Sequence, residues 1–179
     1  PRSTPSNSSA ASDVYKRQGY YLRNCPEAKV SLVASGPLRA AVRVEGYYTN
    51  AAGQQPSSKP SAVYTYSYFA GQPLIFLHAE VRQEEVFSWH ELHIVEINFP
   101  GVDFTHACVD GEVIKLVAEE KTHKASQYGA LLDGERGPAV LGLASGYGAL
   151  IYDGRGGYGT YLHGPWRRFE GKEDSYDVV

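Results

Sequence analysis

From Gly19 onward apolar and polar residues take turns along the chain, and a period of two predicts a protein made of β-strands. Leu38, Ala40, Val42 and Val44 fall on one side and Arg39, Arg43 and Glu45 on the other, the pattern of a strand with one face in a core. Gly36-Pro37 punctuates its start, and a preceding strand is predicted over 29–34, with Val30 and Leu32 on one face. Asn50 to Ala62 is rich in Gly, Pro, Ser and Gln and predicts a long exposed loop. Next, Val63 to Phe69 sets three tyrosines at every second position, Ala70-Gly71-Gln72-Pro73 turns the chain, and 74–82 returns with Ile75, Leu77, Ala79 and Val81 on one side. Phe87 to Phe99 alternates over more residues than a usual strand holds, so a bulge or bend is expected near Glu91. Shorter strands are predicted over 113–118, 128–132, 139–143, 149–152 and 158–162, each bounded by Gly, Asp-Gly or Gly-Pro. Over 108–120 a helix competes, because Val109, Val113, Leu116 and Val117 also satisfy a period of 3.6. With no convincing helices between strands, the elements predict an all-β fold, an antiparallel β-sandwich or one large curved sheet, rather than a parallel α/β fold.

Composition agrees with that picture. The 14 Tyr and 19 Gly suit strands joined by tight turns, and a tyrosine-rich surface also suits contact with sugars. No apolar run approaches the ~18 residues a membrane helix needs, so no membrane partner is expected. Cys25 and Cys108 are the two cysteines; they either pair in an oxidising compartment or stay free, and alone they make no metal site.

The first eighteen residues read differently. Ser8 to Gln18 (SSAASDVYKRQ) resembles the translation of a transposase adapter used in sequencing-library preparation. Pro1 to Thr4 (PRST) translates the flow-cell primer upstream of it, and the fixed C after that primer demands a codon beginning with C at position 5, which Pro5 supplies. The alternative is a natural Ser/Ala-rich leader. Residues 1–18 are therefore expected to be adapter-derived and disordered, and 19–179 to form a single β-sandwich domain or part of one. The chain has no Met, so an incomplete fragment is expected, with further domains on the same chain. Of the 17 Lys and Arg and the 20 Asp and Glu, residues 1–18 hold three and one, which leaves the remainder with an acidic excess of five. That balance argues against a nucleic-acid partner.

The candidate chemistry begins at Trp89-His90-Glu91-Leu92-His93. A zinc helix needs two histidines four apart on one face; here the spacing is three on a predicted strand, so His90 and His93 point to opposite faces. Trp89, Glu91 and His93 share a face, either a polar cleft with an aromatic floor or a solvated strand face. Asp103, His106, Asp110 and His123 lie in or near loops but lack calcium-loop spacing, so no metal and no cofactor are expected. Farther on, Tyr158, Tyr161, His163, Trp166, Arg167 and Arg168 combine rings that stack on a pyranose with guanidinium groups that bind a carboxylate. The competing account has Trp166 plugging the end of the sandwich and the arginines pairing with Glu170, Glu173 and Asp174. No phosphate-binding loop or nucleophile elbow is present.

The stretches SGPLRAAVRVEG (Ser35 to Gly46) and YTYSYFAGQPLIFLHAEV (Tyr64 to Val81) resemble the β-sandwich domains of the galactose-mutarotase-like superfamily, in particular those of polysaccharide lyases and some glycoside hydrolases. There a Gly-Pro-Leu/Val-Arg-Ala strand precedes a Tyr-Ala-Gly-x-Pro-Leu hairpin; here Phe69 takes the aromatic place before Ala70-Gly71. The similarity covers Ser35 to Gly101, and the rest of the chain more loosely. It implies a large antiparallel supersandwich and carbohydrate as the ligand class; with the aromatic and arginine run, which an acidic polysaccharide would satisfy, the expectation is a fragment of a secreted or periplasmic carbohydrate-active enzyme. It transfers no catalytic residue. From the residues themselves, the expected catalytic set is His90, Glu91, His93, Tyr161 and His163, with Trp89, Trp166 and Arg167 binding substrate. The alternative is a non-catalytic carbohydrate-binding or structural module.

Overall fold

A computed structural model describes residues 12–13, 16–17, 19–99, 104–117, 121–133, 137–142, 149–154 and 159–178, for some strand residues by their backbone alone. The alternating pattern resolves into β1 (Ser12–Asp13), β2 (Lys16–Arg17), a short 3-10 helix (Leu22–Asn24), β3 (Lys29–Ser35), β4 (Arg39–Tyr47), β5 (Ser61–Phe69), β6 (Ile75–Arg82) and β7 (Trp89–Phe99). There follow β8 (His106–Val109), β9 (Glu112–Lys115), β10 (Lys121–Ala125), β11 (Tyr128–Asp133), β12 (Gly137–Gly142), β13 (Ala149–Gly154), β14 (Gly159–Phe169) and β15 (Glu173–Val178). The fold is all-β, and the strand neighbours whose register is described pair antiparallel. Within the adapter-like segment, Ser12–Asp13 pairs with Lys16–Arg17; the rest of 1–18 lies outside the described residues. Chain contacts gather into two compact units, one of Asn7–Leu92 with Arg167–Val179 and one containing His93–Trp166.

The first unit is built on a five-stranded sheet in the order β15-β6-β5-β4-β3. Register sets Val178, Leu77, Tyr66, Val42 and Leu32 side by side in one row, and Tyr176, Ala79, Tyr64, Val44 and Val30 in the next. These residues share the inner face, where Leu77, Ala79, Val81, Tyr64, Tyr176 and Val178 are buried. The outer face carries the charges: His78 lies 2.7 Å from Asp177, Arg82 3.1 Å from Glu80, and Arg43 3.3 Å from Glu45. Such exposed pairs contribute little each, but they mark this face as the wet one. The tyrosines predicted to alternate do so, and they lie on the inner face. Tyr48 reaches Tyr64 with hydroxyls 2.9 Å apart; burial raises both phenols, that of Tyr64 to about 12. In β3 the pairing skips Val33, so the bulge described in the pairing of this sheet lies there.

Turn chemistry connects these strands as expected. Gly71 turns the β5–β6 hairpin at φ 80°, a left-handed conformation that costs glycine little. The long loop after β4 is held by Asn50 Oδ1, which accepts the N–H groups of Ala52 and Gln54 at 2.9 Å each. Gly46 stands where the 3-10 helix crosses β4: a methyl there would come within 3.0 Å of Leu22 Cδ1 and 3.2 Å of Cys25 Sγ.

The second unit is a sandwich of two four-stranded sheets, β10-β13-β14-β7 and β12-β11-β8-β9. They meet face to face where β11 packs on β13 and β10 on β8; Ala107 and Leu131, paired in one row, and Leu162 are buried in this unit. Over the described residues 108–117 the competing helix is not formed. Asp110 and Gly111 both take positive φ, 49° and 91°, as a two-residue type I′ turn requires, and the chain folds back as the β8–β9 hairpin. The strand predicted over 113–118 is thus the end of that hairpin and begins one residue earlier, at Glu112.

Candidate functional site

β7 brings His93 next to residues that the pattern did not single out. His93 Nδ1 lies 2.9 Å from Glu96 Oε2, and Asn98 Nδ2 donates to Glu96 Oε1 at 3.3 Å. Both members of the pair are buried, with 8% and 6% of their side-chain surfaces exposed. Residues three apart on a regular strand face opposite ways, so this contact requires β7 to depart from strict alternation between His93 and Glu96.

The chemistry of this arrangement follows from its geometry. Where Nδ1 carries the ring proton it donates to Glu96, which selects that imidazole tautomer and leaves Nε2, a buried atom, as the ring's other nitrogen. Asn98 holds the second carboxylate oxygen, so the acceptor is gripped at both ends and the ring is oriented before any ligand arrives. Among the described residues, no group of three or more His, Cys, Asp or Glu stands where it could hold a metal ion.

The other expected site residues fare differently. Trp89 is buried; its indole N–H donates to Gln83 Oε1 at 2.9 Å, and its ring packs edge-on against Phe87 and Tyr20, with centroids 5.0 and 5.9 Å away. Those contacts use it as core, and a sugar would have to displace them to stack on it. Tyr161 and His163 stand on β14 opposite Tyr152 and Leu150 of β13. The side chains of His90, Glu91, Tyr161, His163, Trp166 and Arg167 lie outside the described ones, as does Asp103 altogether. The acids proposed as partners for the arginines have contacts of their own: Ser88 Oγ donates to Glu170 at 3.2 Å, Arg82 lies 3.8 Å from Glu173, and Tyr176 Oη donates to Asp174 at 3.1 Å.

Asp110 is a structural clamp. Its carboxylate accepts from Ser126 N and Oγ, Gln127 N and Tyr128 N at 2.6 to 3.1 Å, stitching the β8–β9 turn to the β10–β11 turn. Those donors, the backbone amides of Ser126 and Gln127 foremost, hold the carboxyl at about 2. His106 Nδ1 rests 3.0 Å from Thr105 Oγ1, and His123 pairs on β10 with Ile151. Cys25 and Cys108 are both free thiols. Set against known proteins, the chain matches no protein-family model and no curated protein.

Proposed function

We propose that this chain contributes a glycan-contacting β-sandwich to a carbohydrate-active enzyme of the polysaccharide lyase or glycoside hydrolase kind, with His93 as its acid–base group. The observation that carries this reading is the His93–Glu96–Asn98 chain, a buried imidazole oriented by a carboxylate that is itself held. Further support comes from the two stretches that resemble the mutarotase-like domains, which lie on three neighbouring antiparallel strands, β4, β5 and β6. On a uronate, uncovering of His93 Nε2, which is buried, lets it take the proton alpha to the carboxylate; the C–O bond at the β-carbon breaks and the leaving oxygen takes a proton from water. In hydrolysis the same nitrogen exchanges a proton with the leaving oxygen or the attacking water.

The test is turnover by the full chain on a panel of uronate-containing and neutral polysaccharides, read by ultraviolet absorbance of unsaturated products and by new reducing ends. Positioned proton transfer is worth about 10²–10⁴ in rate, so His93→Ala should lose at least about a hundredfold in kcat. Glu96→Gln should shift the pH profile while leaving KM nearly unchanged. Binding without turnover on every substrate would instead favour a non-catalytic module, and His93→Ala matching the wild type would remove His93 from the reaction.

A further inference from the structure

The five-stranded sheet is amphipathic from edge to edge, but its inner face is covered only in part. At the β15–β6 side Leu77, Ala79, Val81 and Val178 are each at most 5% exposed. At the opposite corner the same face opens: Val30 is 70% exposed, Leu32 64%, Ile75 60%, Tyr68 47% and Tyr66 41%. Register makes these one surface, since Ile75 pairs with Tyr68, and Tyr66 lies in the row of Val42 and Leu32. Leu38, just before β4 and in the same alternation, is 76% exposed and extends the surface.

We propose that this corner is a homodimer interface, covered by the same corner of a second copy of the chain related by a two-fold axis. Three observations select that occupant. The rows just named carry no ionisable carboxylate or ammonium on the inner face, so two copies meet without like-charge repulsion, whereas the outer face of the same sheet is laced with charge. The area is adequate: at roughly 150–220 Å² per large side chain, the exposed fractions amount to about 500 Å² per copy, or about 1,000 Å² in all, the size at which specific association begins. The geometry also favours closure over growth, because, of the two edge strands, β3 is bulged at Val33 and begins with Lys29, and β15 carries Glu173, Asp174 and Asp177, all of which obstruct edge-to-edge addition. Two such faces stacked about 10 Å apart complete a sandwich that the single sheet leaves open. This inference is independent of the glycan reading.

Sedimentation velocity of the full chain, from roughly 1 to 100 µM, tests it over the affinity range expected of a small interface. The expected result is a monomer–dimer equilibrium that Leu32→Glu and Ile75→Glu each weaken at least tenfold, while Val86→Glu, at another exposed apolar position, leaves it unchanged. Circular dichroism confirms that each variant is folded; should one fail, the other decides alone. A wild type that stays monomeric throughout, a dimer indifferent to both substitutions, or open-ended polymers without a dimer plateau would each overturn the proposal.

Discussion

Replacing Gln83 with Leu tests the account of how the first unit is held together. Gln83 is buried at the end of β6, and its amide serves three groups: Oε1 accepts from Trp89 Nε1, and Nε2 donates to the carbonyls of Phe87 and Gly171. Its backbone N–H also donates to Lys172 O at 2.8 Å, which a leucine retains. Leu preserves most of the volume, so the change deletes hydrogen bonds without opening a cavity. The indole N–H of the buried Trp89 then lacks a partner, at about 1–3 kcal/mol, and the two carbonyls lose about 0.5–1.5 kcal/mol each, water replacing part of the loss because Phe87 and Gly171 are exposed. The sum centres near 3 kcal/mol, which for a chain of this size lowers Tm by roughly 6–12 °C. Trp89→Phe should be destabilising by a comparable amount, and the double variant should cost at least about 1 kcal/mol less than the two added together, because both remove the same bond. Thermal and urea unfolding followed by circular dichroism measure all three. A Gln83→Leu protein within about 0.5 kcal/mol of the wild type, or strict additivity, would refute the idea that this amide joins β6, the β6–β7 connection and the approach to β15.

Two further outcomes follow from other sites. Asp110 has its folded carboxyl at about 2, below its unfolded value of 3.8, so its stabilisation is fully present above pH 4 to 5 and fades as pH falls toward 2; the Tm gap between wild type and Asp110→Asn should be open at pH 7 and close over that acid range. A gap that is constant with pH would rule out the clamp as the source. Gly46→Val should cost about 1–3 kcal/mol in urea unfolding, since its added carbons meet Leu22 and Cys25, and a neutral result would mean that the 3-10 helix does not bear on β4.

Alternation was informative wherever apolar residues marked both the strand and its face. β4, β5 and β6 begin and end within two residues of the expected bounds, and the three tyrosines fall on one face as predicted. Strands whose stability comes from a neighbour were invisible. Lys121–Ala125 (KTHKA) and Glu173–Val178 (EDSYDV) are polar segments with weak intrinsic preference for strand; they form because β13 and β6 offer them an edge to pair with. The His93–Glu96–Asn98 chain escaped notice for a related reason. A period of two sends residues three apart to opposite faces, and only a local irregularity in the strand brings them into contact.

The residue order was enough to establish an all-β antiparallel fold, the main hairpin and its turn, and His93 as a candidate, because two-residue periodicity and glycine or proline turns are local properties of the backbone. Burial depends on what lies across from a side chain. Trp89 was available for a sugar until its ring was found against Phe87 and Tyr20, Asp110 was a loose loop acid until two turns closed around it, and Tyr64 and Tyr66 were equivalent until the cover over their sheet stopped between them. Those outcomes required the chain to fold first, since each is set by residues far away in sequence whose positions no local pattern encodes.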